Sequence, residues 1–238
     1  MIHFSSAAFP FSLCWILLAL AGCQSASHGG SSAALISSEE EAAIVGEVAA
    51  PVLLPAKALG QTFVLRQAVA VKWSGEAGQA EEASFDAAVQ RQGESLLLLG
   101  LGPMGHVGFT LKLEKGEVSF ENRTGQVLPF APDRMLLDVQ RVYYPWLDPE
   151  EACRDCTRSG RRAGYLIEEE WVAGRLLRRR FESLSPAEAE GNQSTQPGIE
   201  VEYSGEIAFD GLPRDARLRD EGFGYEVELK TLGIDWID

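Results

Sequence analysis

The sequence predicts a mainly β domain with α: an antiparallel sheet with one wet face, its other face covered by a helix. Three observations predict it. Apolar residues recur at period two from Thr62 onward, the spacing of a strand with one buried side. Gly-rich turns such as Ser74 to Gly78 and Glu114 to Gly116 separate the runs, as in hairpins. One convincing stretch of helical spacing interrupts them, and a one-sided sheet and a one-striped helix bury each other.

In chain order, Met1 to Gly22 contains no Asp, Glu, Lys or Arg. Phe9 to Leu20 is an apolar run broken only by Pro10 and Ser12. It is too short to span a bilayer and ends in small residues, which reads as a cleavable signal. Its n-region departs from the usual pattern, with His3 in place of Lys or Arg. Leu20-Ala21-Gly22-Cys23 is similar to the lipobox of bacterial lipoproteins, which implies cleavage before Cys23 and acylation of that cysteine. An ordinary secretory signal with an incidental cysteine is the alternative. Acylation would make membrane attachment effectively permanent, and Gln24 stands where Asp would retain a lipoprotein in the inner membrane. The expected location is therefore the periplasmic face of the outer membrane.

Removing the first 22 of 238 residues leaves 216 and keeps the net charge at −14. That length fits one domain and a tether. So acidic a body argues against nucleic acid, which needs a basic footprint. Residues 23–38 are Ser, Gly and Ala rich and read as the tether. Ser37 or Ser38 followed by Glu39-Glu40-Glu41 caps a short helix to about Val48, ended by Pro51 and Pro55, so 39–59 is helix and linker. The main domain is then 60–238.

Within it, Phe63, Leu65, Val69, Val71 and Trp73 share one strand face, with Arg66 and Lys72 opposite. Alternation recurs at Phe85, Ala87 and Val89, at Val107, Phe109, Leu111 and Leu113, and at Val118 and Phe120. It returns at Ile199, Val201 and Tyr203 and at Tyr225, Val227 and Leu229. The helix is expected from Pro132 to Tyr144, with Pro in its first turn and Pro145 stopping it. Met135, Leu136, Val139, Val142 and Tyr143 form its apolar stripe, leaving Asp133, Arg134, Asp138 and Arg141 as the solvated side.

Catalytic patterns are sparse. His106 is the one histidine beyond the signal and tether, no Gly-x-Ser-x-Gly elbow accompanies it, and no phosphate or dinucleotide loop occurs. No cofactor is expected. Glu168-Glu169-Glu170 and Arg178-Arg179-Arg180 read as solvated charge runs. Cys153 and Cys156 leave three options open: a loop disulfide, a redox pair or part of a metal site. An oxidising compartment favours the disulfide, while zinc would want two more ligands.

Several stretches taken together resemble the outer-membrane lipoprotein receptor LolB and, more closely, an uncharacterised lipoprotein family of LolB-like fold. They are Arg66 to Val71, Ser84-Phe85-Asp86-Ala87, Leu101-Gly102-Pro103-Met104-Gly105 leading into Phe109-Thr110-Leu111, and Leu128-Pro129-Phe130. Met135 to Pro145 and Gly211-Leu212-Pro213 complete the set. The resemblance covers roughly Gly60 to Asp238. It implies a LolA/LolB-like incomplete barrel, a curved antiparallel sheet covered by one or two helices around an apolar cavity. The implied function is non-catalytic: binding or delivering the acyl chains of a lipidated cargo, which would be a lipoprotein, glycolipid or polyene-lipid. A periplasmic LolA-like carrier is an implied partner, and the closer family is often associated with aryl polyene or polyketide-type gene clusters.

By the same resemblance, Pro103, Met104 and Gly105 form a membrane-insertion loop. The expected cavity lining is Phe63, Leu65, Val69, Val71, Phe85, Val107, Phe109, Leu111, Met135, Val139 and Tyr143, for each of which ordinary core is the plainer reading. The departure from the receptor is a shorter Thr124 to Pro145, with room for one helix. Two rivals stand: a structural or adaptor lipoprotein with a closed core, and an esterase or acyltransferase using His106.

Overall fold

The period-two segments are strands. The computed structural model describes residues 52–60, 62–75, 78–125, 128, 130–148, 154–184, 198–209 and 212–237; Cys23, the tether and Cys153 lie outside these. The first meander comprises β1 (Phe63–Ser74), β2 (Ala80–Gln92), β3 (Ser95–Leu101), β4 (Val107–Glu114) and β5 (Glu117–Asn122). After helix α1 (Pro132–Tyr143) come β6 (Cys156–Arg162), β7 (Tyr165–Val172), β8 (Arg175–Ser183), β9 (Ile199–Phe209), β10 (Leu212–Asp220) and β11 (Tyr225–Trp236). All pairings are antiparallel in one large, curved, open sheet, ordered β5-β4-β3-β2-β1-β11-β10-β9-β8-β7-β6. The chain leaves the sheet at one edge, β5, and resumes at the other, β6, with α1 in the connection. The expected fold class, β with one helix on an antiparallel sheet, is the one observed.

Alternation sets which face is wet. Phe63, Leu65, Val69 and Val71 are buried on β1, and Gln67 shares their face, buried too. Its amide donates to the Tyr143 hydroxyl of α1. Between Arg66 and Gln67 the pairing with β11 slips, so that Leu232 is an extra residue in a bulge and stays half exposed. β3 reads Leu96 to Leu99 without a break. Leu96 and Leu98 enter the core, while Leu97 and Leu99 are half-buried on the other face.

The outer face of β7 to β11 is a ladder of alternating charge. Glu168, Arg180, Glu200, Arg219, Glu226 and Lys72 stand side by side in one row, and Glu170, Arg178, Glu202, Arg217 and Glu228 in the next. Arg219 meets Glu226 at 2.8 Å, Arg217 meets Glu228 at 3.0 Å, and Arg180 meets Glu200 at 3.0 Å. Single exposed pairs contribute little, up to about 1 kcal/mol. Directly opposed unlike charges nonetheless specify register, because a slip of one strand would change its neighbours.

The two charge runs expected to be solvated are partners across the β7–β8 hairpin, and their middle members are core. Glu169 and Arg179 are each nearly fully buried and pair at 2.8 Å. Arg179 also donates to the carbonyl of Arg141 at 2.6 Å, tying sheet to helix. The helix's expected solvated side needs the same correction. Arg141 is buried and pairs at 2.7 Å with the partly buried Asp138, and Arg134 reaches Asp220 at 3.1 Å with its guanidinium stacked on the Phe223 ring. The sheet extends beyond both sides of the apolar stripe, so flanking charges meet protein instead of water.

Before β1, Leu54 and Ala56 are buried in a strap ending in the 3-10 turn Ala56–Leu59. Gln140 of α1 holds it through both main-chain groups of Leu54, accepting from its N–H at 2.8 Å and donating to its carbonyl at 2.7 Å.

Tyr143, Tyr144, Tyr203 and Tyr225 are buried, four of the chain's five tyrosines. Burial pushes the Tyr144 and Tyr203 hydroxyls up to about 12. A folded-state pKa above the unfolded one gives stability that is complete below about pH 10 and lost as pH rises towards 12. Phenolate absorbance at 295 nm should therefore rise together with loss of far-UV circular dichroism. Ionisation of these tyrosines near pH 10 with the fold intact would contradict their burial.

Candidate apolar site under the helix

Helix α1 starts at Pro132, with Ala131 offering no side-chain cap, and ends where Tyr144 turns extended before Pro145. Its stripe faces β1, β2 and β11. Between them lies a hollow of about 70 Å³. Val69, Val71, Phe85, Met135 and Val139, all expected there, are in its wall, joined by residues such as Val227 and Leu229. Gln67, Asp138 and the Tyr225 hydroxyl are the polar groups of the wall, and all are engaged: Gln67 with Tyr143, and Asp138 with Arg141 and with the Tyr225 hydroxyl, which donates to it at 2.6 Å. Burial pushes the Asp138 carboxyl up, against the opposing pull of Arg141 and Tyr225.

The other six expected residues are not in that wall. Phe63, Leu65 and Leu111 are fully buried core. Phe109 is buried next to the wall, its ring 5.7 Å from that of Phe85. Tyr143 points its hydroxyl to Gln67, and Val107 is half-buried at the start of β4. Phe130 and Tyr225, with ring centroids 4.8 Å apart, are wall residues that sequence reasoning missed. Phe130 precedes the helix and carries no periodicity.

Pro103–Gly105 is a 3-10 turn between β3 and β4, closed by Gly105 N–H on the Gly102 carbonyl at 3.0 Å. Met104 at its tip is fully exposed and has φ 66°, a left-handed conformation that costs a non-glycine residue energy. The His106 imidazole lies over Gly102, where a Cβ would come within 2.5 Å of Nε2. Cys156 is disulfide-bonded. Among the described residues, no three His, Cys, Asp or Glu side chains are grouped as a metal site, and no helix is long and apolar enough to cross a membrane.

A wider groove of about 910 Å³ lies on the opposite face of the sheet. Its walls are the charge ladder, with Arg178, Arg217 and Glu228 already in ion pairs, over a floor that includes Ala68, Ala70 and Ser84. The hollow under α1 is the site suited to apolar matter.

A family model matches residues 64–233, from the start of β1 into β11. The chain belongs to the family described as protein of unknown function, DUF3261. No curated protein matches this DUF3261 sequence. Solved structures to which the chain is similar include a LolA superfamily protein from Nitrosomonas europaea, at 9% identity and TM-score 0.43, covering 78% of this chain and 95% of that one. A DUF1329 family protein from Desulfovibrio piger is similar at 11% identity and TM-score 0.43, covering 74% of this chain and 85% of that one.

Proposed function

We propose that this DUF3261 protein is a non-catalytic lipid-handling lipoprotein, anchored through Cys23 at the periplasmic face of the outer membrane, which holds acyl chains of a lipidated cargo between α1 and the sheet. The observation that carries the reading is the hollow's wall, apolar except for Gln67, Asp138 and the Tyr225 hydroxyl, whose polar groups are already engaged. Such a wall offers area burial and no free polar group, which suits an alkyl chain. The sequence resemblance to LolB supports the same reading. In the proposal Met104 is the membrane-facing tip, since a flexible thioether adapts to an irregular apolar surface.

Titration of the protein beginning at Ser25 with a fluorescent 16-carbon fatty acid should saturate. Val139→Asp puts a charge in the wall and should weaken binding at least about 30-fold, given that an unpaired buried charge costs several kcal/mol. Equal binding by a folded Val139→Asp variant would remove the hollow from the account. Met104→Asp should leave that titration unchanged while reducing sedimentation with phospholipid vesicles. If vesicle binding is unaltered, Met104 is not the membrane contact.

The hollow's size favours a second reading, the adaptor with a closed core. Ligand pockets usually exceed about 300 Å³, and 70 Å³ is well short of that. The lipid reading therefore requires space beyond the hollow itself.

A further inference from the structure

The missing space has a direction. Val118 and Phe120 on β5 stand opposite Leu113 and Leu111 in the β4 ladder, which puts them on the core face of the sheet. Leu111 and Leu113 are fully buried, yet Val118 and Phe120 are 38% and 39% exposed. The apolar face therefore continues to the sheet edge after protein cover has thinned. An open edge strand with apolar side chains is a feature that proteins ordinarily blunt or cover.

Three rings connect this edge to the hollow. Phe85 is in the hollow's wall, Phe109 is 5.7 Å from Phe85, and Phe120 is 6.5 Å from Phe109. Gly100 makes the middle step: a Cβ there would lie 2.0 Å from the Phe109 ring, so the ring rests directly on the β3 backbone. Any larger residue would push Phe109 off the sheet and break the series.

We infer that the acyl site has a second compartment, a track from the hollow past Phe85 and Phe109 to Phe120 and Val118 at the β5 edge, which holds the part of a long chain that the hollow cannot. This rests on the lipid-handling reading. The ligand class is a single long alkyl chain, and the track sets the length preferred: the hollow takes the first few methylenes and the edge takes the rest. Covering Val118 and Phe120 is then a property of the loaded protein.

The test is a series of saturated fatty acids from 6 to 18 carbons, displacing the fluorescent acid from the soluble protein and from the double variant Phe120→Ser, Val118→Ser. Both substitutions lie on an exposed edge strand, and circular dichroism checks that the fold is kept. Affinity of the unaltered protein should rise by up to about fourfold per added methylene as far as the track extends. In the variant that rise should stop early, with short acids bound as before and those of 14 or more carbons weakened at least about tenfold. Equal loss at every length, or none at any, overturns the track and leaves the hollow as the whole site. If the unaltered protein binds no acid, the lipid reading falls and the track with it.

Discussion

Arg179→Met is expected to destabilise the domain by about 3–5 kcal/mol, the cost of leaving a buried carboxylate without its partner. Arg179 is 3% exposed, paired to Glu169, and bonded to the Arg141 carbonyl near the end of α1. Methionine keeps most of the side chain's length, so the loss comes from charge and hydrogen bonds. Glu169 would retain the Trp171 indole N–H, 3.1 Å away, which does not neutralise it. Removing both partners as Arg179→Met with Glu169→Met should cost much less than the single change, because no orphan charge is left. Arg178→Met, on the outer face, should cost under about 1 kcal/mol. Urea midpoints at unchanged slope measure all three. Arg178 and Arg179 proving equally costly would contradict the burial of the middle pair.

Gln140→Leu should be the other damaging change. The side chain is fully buried and satisfies both main-chain groups of Leu54, 86 residues away. Leucine fits the volume but leaves a buried N–H and a buried carbonyl unpaired, at about 1–3 kcal/mol each. The expected total is about 2–6 kcal/mol, with a local signature. Residues 52–59 should become cleavable by a nonspecific protease under conditions where β1 to β11 still resist. A strap that stays protected in Gln140→Leu would mean that Leu54, Ala56 and the Tyr144 hydroxyl, 3.1 Å from the Ala56 carbonyl, hold it without Gln140.

These two sites mark where the sequence stops being informative. β1 and β11 are readable because alternation of apolar and charged residues is the direct imprint of a half-buried strand. α1 is readable for the same reason at helical period, and its start and end are one proline each. β3 is harder, since Leu96 to Leu99 have no period and fit a strand or a buried helix turn equally. β7 and β8 carry the signal outside the charge runs: Phe181, two residues after Arg179, and Ile167, two before Glu169, are buried, so period two puts Arg179 and Glu169 on the inner face. What alternation along one strand does not give is that these two inward charges stand opposite each other across the hairpin. Gln140 meets Leu54 only after α1 is laid on the sheet.

The candidate site was legible to the same extent. Val69, Val71, Phe85, Met135 and Val139 follow from which faces are apolar. The ring series from Phe85 to Phe120 depends on a glycine in the neighbouring strand, and the hollow's volume depends on how closely side chains interlock. Neither is a property of one strand's pattern.

The central claim is that an acyl chain occupies the space between α1 and the sheet, and native mass spectrometry with lipid extraction tests it most directly. The protein beginning at Ser25, expressed in the periplasm, should carry a bound species of alkyl-lipid mass that organic solvent releases and that Val139→Asp, still folded, fails to retain. Protein that emerges at its bare mass, and stays there after incubation with fatty acids and phospholipids, would contradict the claim and leave the closed-core adaptor standing.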